Sequence, residues 1–130
     1  MLTHDDMMEM IVSADDLYNE LEEASGHPEY SITIIYVQTQ RDFRRCHIKG
    51  SINILERDLA NELEDWDRAQ TIVVYSEGED SALSRLAYLR LVDMGFVDVR
   101  ILEGGLAEWV DCGYPTGGEC DGGDEDLEEI

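Results

Sequence analysis

Lysine is almost missing from this chain. Lys49 stands alone beside eight arginines, against 31 aspartates and glutamates, for a formal net charge of −22. A surface of that sign repels the phosphates of nucleic acids and anionic membranes, which excludes both as partners. Long apolar runs are also missing, and none approaches the roughly 20 residues needed to cross a bilayer. The start, Met1-Leu2-Thr3-His4-Asp5-Asp6, lacks the basic and then apolar pattern of a secretory leader, so the expected compartment is the cytoplasm. Cysteine is scarce: Cys46, Cys112 and Cys120 form no CxxC pair, and an odd count in a cytoplasmic chain predicts no disulfide framework. His4, His27 and His47 are scattered, so neither a metal site nor a cofactor is expected.

What remains is the composition of a globular protein, with 43% apolar and 31% charged residues in 130 positions. That length suits one domain with a real core. The excess acid has three readings that composition leaves open. It can serve solubility, adaptation to high salt, or recruitment of a basic protein partner.

Ser13-Ala14-Asp15-Asp16 reads as a helix start, with Ser13 as the cap and an acid three residues later. Leu17 and Leu21 then mark a helical face that Gly26-His27-Pro28 ends. Met10 to Val12, Ile32 to Val37, Ser51 to Ile54, Thr71 to Tyr75 and Val97 to Leu102 read as strands. Gln40 to Arg45, Glu56 to Trp66, Ala82 to Met94 and Gly104 to Val110 read as helices between and after them. Strands alternating with helices predict a three-layer α/β/α fold around a parallel sheet. The domain is expected over residues 1–116. The acidic, glycine-rich stretch 117–130 has little to bury and is expected to be a flexible tail.

Ser76 is the key position. It ends the apolar run Thr71-Ile72-Val73-Val74-Tyr75 and opens the loop Glu77-Gly78-Glu79-Asp80-Ser81 before a helix. In α/β folds, ligand sites lie beyond the carboxyl ends of strands, and Ser76 occupies such a place.

Four segments together resemble the rhodanese-like family. Phe43-Arg44-Arg45-Cys46-His47-Ile48-Lys49-Gly50-Ser51-Ile52-Asn53-Ile54 resembles its F-x-x-G-H-I-P-G-A-x-N-I motif. Ile72 to Ser81 resembles its strand and six-residue active loop, and Gly95-Phe96-Val97-Asp98-Val99 its G-F-x-x-V. Gly104-Gly105-Leu106-Ala107-Glu108-Trp109 with Gly113-Tyr114-Pro115 resembles G-G-x-x-x-W followed by G-x-P. The resemblance implies a five-stranded central parallel sheet. It also implies sulfane-sulfur transfer, from a donor such as thiosulfate to an acceptor such as cyanide, through a cysteine persulfide.

By that resemblance Ser76 stands where the family has its catalytic cysteine. A hydroxyl forms no persulfide, and serine without an adjacent base is a poor nucleophile. No catalytic residue is therefore expected in the loop. Glu77, Glu79 and Asp80 either crowd a substrate anion with negative charge or cap the following helix. Tyr36-Val37-Gln38 also departs from the D-V-R that the family often carries there. The expectation is a domain without sulfurtransferase activity that serves as a binding or regulatory module. The alternative is a sulfurtransferase working through a displaced thiol, Cys46. Arg44, Arg45 and His47 beside Cys46 make the densest basic stretch of the chain, a candidate thiol or anion site. Cys46 also reads simply as a small buried residue replacing the motif's glycine.

Overall fold

The computed structural model describes residues 10–26, 31–78 and 82–120. The chain runs β1 (Ile11–Val12), α1 (Ala14–Ala24), β2 (Ile32–Tyr36), α2 (Gln40–Arg45), β3 (Cys46–Ile48) and β4 (Ile52–Asn53). A 3-10 turn (Glu56–Asp58) leads into α3 (Leu59–Glu62), then β5 (Thr71–Tyr75), α4 (Ala82–Asp93), β6 (Val99–Leu102), α5 (Gly105–Asp111) and β7 (Thr116–Gly118). A five-stranded parallel sheet has the order β1-β6-β5-β2-β4 and lies between helices, as the alternating pattern predicts.

The core follows from the two-residue period of the strands. Along β5, Val73 and Tyr75 face one side with Ile34, Tyr36, Leu17, Leu106 and Trp109, the layer of α1 and α5. Ile72 and Val74 face the other with Ile35, Leu59, Leu63, Ala87 and Leu91, the layer of α3 and α4. All five residues of β5 are buried, as a central parallel strand requires.

Local chemistry sets the element ends. Ser13 Oγ accepts from the Asp16 N–H at 3.1 Å and Thr39 Oγ1 accepts from the Asp42 N–H at 3.2 Å, so both helices start on side-chain caps. The helix expected from Glu56 to Trp66 is cut short after Glu62. The Arg68 guanidinium takes up the carbonyls of Leu63, Glu64 and Trp66, closing the chain into a turn there. Leu59 and Leu63 still point inward, fully buried.

The flexible tail expected from 117 is corrected at its start. Thr116–Gly118 pairs antiparallel with Cys46–Ile48 as a small second sheet, and a disulfide joins Cys46 to Cys120. Glycine is needed at both inner positions of this strap for steric reasons. A Cβ at Gly117 would lie 2.6 Å from His47 Nε2, and one at Gly118 would lie 2.5 Å from the Arg44 carbonyl oxygen. Among the described residues no helix is long and apolar enough to cross a membrane.

Candidate functional site

The loop after β5 opens at the carboxyl end of the sheet, where Ser76, Glu77 and Gly78 are described. The expected loop members Glu79, Asp80 and Ser81 lie outside the described residues. Ser76 is only 1% exposed. Its Oγ accepts a hydrogen bond from Ser84 Oγ on the first turn of α4 at 3.1 Å. Its carbonyl accepts from the Leu106 N–H at 2.8 Å, and the Glu77 carbonyl accepts from the Ala107 N–H at 2.8 Å. The start of α5 is thus pressed directly onto the loop. Gly105 permits this approach: its φ is +62°, and a Cβ there would lie 2.6 Å from the Ser76 carbonyl oxygen.

Glu77 does not stand free in the loop mouth. Its carboxylate turns back across the sheet end to β2, where the Tyr36 hydroxyl donates to Oε2 at 2.9 Å. Arg45, the last residue of α2, donates to the same oxygen at 3.4 Å. The Glu77 N–H is taken by Gln38 Oε1 at 2.8 Å, and the same Oε1 lies 3.4 Å from the Tyr36 hydroxyl. Asn53 holds this corner by donating to the carbonyls of Tyr36 and Gln38 at 3.0 and 2.8 Å. Burial and the Glu77 carboxylate together raise the Tyr36 phenol far above its ordinary pKa, so it stays a neutral donor. Beside it, burial pushes Tyr75 up to about 12. The Tyr75 hydroxyl accepts from the Ile48 N–H at 3.0 Å and shares a hydrogen bond with Ser51 Oγ at 2.8 Å.

The basic stretch divides. Arg45 reaches the loop through Glu77. His47 does not: its ring stacks on Phe43 with centroids 3.9 Å apart, and Nδ1 meets the Phe43 carbonyl at 2.6 Å. Arg44 lends its carbonyl to the close approach of Gly118. Cys46 is corrected as a free thiol, since its sulfur is bonded to Cys120. The odd count misleads because Cys112 is the unpaired member. Partial desolvation and the carboxylates of Asp15, Glu108 and Asp111 raise the Cys112 pKa and so disfavour its thiolate. Trp109 is a core residue, 1% exposed, whose Nε1 donates to the Pro115 carbonyl at 2.7 Å.

Sequence reasoning marks Tyr36 and Gln38 as departures from a motif but misses that both bind Glu77. Their spacing was the available signal, because residues two apart along a strand and its extension lie on one face. Ser84 carries no such signal. A shallow cleft of about 400 Å³ lies beside the loop, lined by Gly78, Glu103, Gly104, Ala107, Glu108 and Asp111. A second of about 250 Å³ runs along Val37, Gln38, Thr39, Leu55, Arg57 and Leu83.

A parallel α/β domain with this loop and glycine turn is the rhodanese arrangement. The family model described as the rhodanese-like domain matches residues 13–112, and the chain belongs to that family. Among solved structures, the rhodanese-like domain of an Anabaena protein is 27% identical with a TM-score of 0.74, covering 93% of this chain and 88% of that one. A Bacillus halodurans protein shares the fold at 19% identity and a TM-score of 0.75, covering 86% of this chain and 79% of its own. A thiosulfate sulfurtransferase from Pseudomonas aeruginosa is 25% identical with a TM-score of 0.71, covering 84% of this chain but 20% of that one. No curated protein matches the chain.

Proposed function

We propose that this rhodanese-like domain lacks sulfurtransferase activity and acts as a binding or regulatory module in the cytoplasm. Ser76 occupies the position that the family resemblance assigns to the catalytic cysteine, and among the described residues its hydroxyl meets the Ser84 hydroxyl rather than a base. The observation that carries the reading is the commitment of Glu77 to other side chains of the domain. The Glu77 N–H serves Gln38, and its carboxylate serves Tyr36 and Arg45. An anion cradle needs such N–H groups pointing at the ligand. The acidic cleft of Glu103, Glu108 and Asp111 beside the loop suits a basic segment of a partner protein.

The test is sulfur transfer from thiosulfate to cyanide by the wild type beside Ser76→Cys. The wild type should stay at background, and robust turnover by it overturns the reading. Ser76→Cys alone should gain little, because Glu77 and Gln38 stay in place. Binding of a lysine-rich peptide, measured by calorimetry, should weaken in Glu103→Gln/Asp111→Asn. Equal affinity would remove the cleft from the proposal. The displaced-thiol alternative gains no support while Cys46 is disulfide-bonded, and it requires that bond to open first.

A further inference from the structure

The Cys46–Cys120 bond has two unequal ends. Cys46 is 7% exposed and lies inside the core layer with Ile48, Tyr75 and Trp109. Cys120 is only partly buried and ends a strap that contributes no large apolar side chain. Both core layers close around the sheet from residues that precede the strap, so the fold does not depend on this bond for a core. Apart from the bond, the strap rests on the β3–β7 pairing and on the Pro115 carbonyl, which accepts from the Lys49 N–H at 3.1 Å and from Trp109.

We propose that Cys46–Cys120 is a thiol-exchange site that takes small thiols at Cys120. A thiolate attacks the Cys120 sulfur, at the less buried end of the bond, the S–S bond breaks, and the Cys46 sulfur leaves as thiolate. Cys46 is the leaving group because attack comes at the more exposed end of the bond, Cys46 itself being buried. A second thiolate attacks the small-thiol sulfur of the mixed disulfide and releases Cys120 as thiolate. The balance is two electrons and two thiols consumed, one small-molecule disulfide formed, and both cysteines reduced. The strap then loses its covalent anchor, which uncovers the Cys46 thiol beside the chain's basic stretch. The proposal holds whether or not the domain transfers sulfur.

Cys112→Ser removes the one other thiol, which is exposed, and wild type alkylated at Cys112 serves as a second form. Glutathione is the probe, without denaturant, followed by acid quench, alkylation and peptide mapping. Before treatment the 46 and 120 peptides should be cross-linked with no alkylatable thiol. During treatment a glutathione adduct should appear on Cys120, and afterwards both cysteines should alkylate. The strap should then become sensitive to limited proteolysis while the sheet core resists. Free Cys46 and Cys120 at the outset, resistance to glutathione in the folded protein, or an adduct confined to Cys46 would each overturn the proposal.

Discussion

Tyr36→Phe should uncouple the loop from the sheet and cost a measurable part of the domain's stability. The Tyr36 ring is fully buried and packs beside Tyr75 and Phe43 at centroid distances of 5.0 and 6.1 Å. Phenylalanine preserves that packing, so the change isolates the hydroxyl. The hydroxyl donates to a carboxylate at 2.9 Å. Hydrogen bonds to charged groups contribute about 1.5–3 kcal/mol. The Glu77 side chain is 44% exposed, so water replaces part of the loss. That places the cost at about 1 kcal/mol, which lowers the melting temperature by ~4 °C in a domain of this size. Urea denaturation should show a lower midpoint at an unchanged slope. Glu77→Ala removes the acceptor, and the double variant completes a cycle whose coupling should be about 1 kcal/mol. Arg45 enters little into that figure, since both partners are half exposed and such pairs contribute about 0.2–1 kcal/mol. A coupling indistinguishable from zero would refute the reasoning, because the two side chains would then not meet in solution.

Further outcomes follow from the same geometry. Tyr36 and Tyr75 both have raised phenol pKa values, so the stability they contribute is intact below pH 10 and lost as pH rises through Tyr75's value of about 12. Tyr75→Phe should flatten that alkaline loss in a series of denaturation midpoints, and an unchanged slope would exclude the assignment. Gly105→Ala forces a Cβ to 2.6 Å from the Ser76 carbonyl oxygen at φ +62°, and strain plus overpacking should cost about 2–4 kcal/mol in chemical denaturation. A cost under about 0.5 kcal/mol would mean that α5 does not press on the loop. Cys120→Ser opens a loop with a sequence separation of 74. Chain entropy puts that at about 4.5 kcal/mol and typical disulfides deliver 2–4, so the melting temperature should fall by on the order of 10 °C. Equal melting of reduced and oxidised protein would count against the bond. At −22 the surface repels itself, so the melting temperature should rise from low to molar sodium chloride. A falling melting temperature would show that attractive ion pairs dominate instead.

The sheet was legible because burial on both faces leaves β5 continuously apolar, and Ser13 announces its helix by a local hydrogen bond. The loop's position was legible for the same reason, being the end of that strand. Features set by contact at long range were hidden. Gly117 and Gly118 read as flexible chain because glycine carries no side-chain pattern. Their role is steric, and it depends on where His47 and the Arg44 carbonyl lie. The Cys46–Cys120 pairing is invisible for the same reason, since nothing local distinguishes Cys120 from Cys112. Leu59, Leu63 and Trp66 keep a helical period, yet a single guanidinium from Arg68 draws the chain into a turn. The orientation of Glu77 was undetermined too, because one residue type fits a helix cap, a solvated loop or a bond to Tyr36.

That orientation changes how the departures around Ser76 fit together. Tyr36, Gln38 and Glu77 are separate differences along the sequence, but in space each satisfies another. With Gln38 lost, the half-buried Glu77 N–H loses its acceptor. With Glu77 lost, the deeply placed Tyr36 hydroxyl loses its closest acceptor. With Tyr36 lost, the carboxylate keeps, among the described residues, an exposed arginine at 3.4 Å. An unsatisfied buried polar group costs about 1–3 kcal/mol, and less where water reaches it as at the half-exposed Glu77, so replacing one of the three weakens the fit of the others. A thiol at position 76 would also enter a site whose hydroxyl already meets Ser84 Oγ, and it would sit beside a carboxylate held by its own neighbours. On the proposed reading, the obstacle to sulfur chemistry extends past position 76. It includes a closed set of hydrogen bonds that uses the loop's own N–H as one of its members.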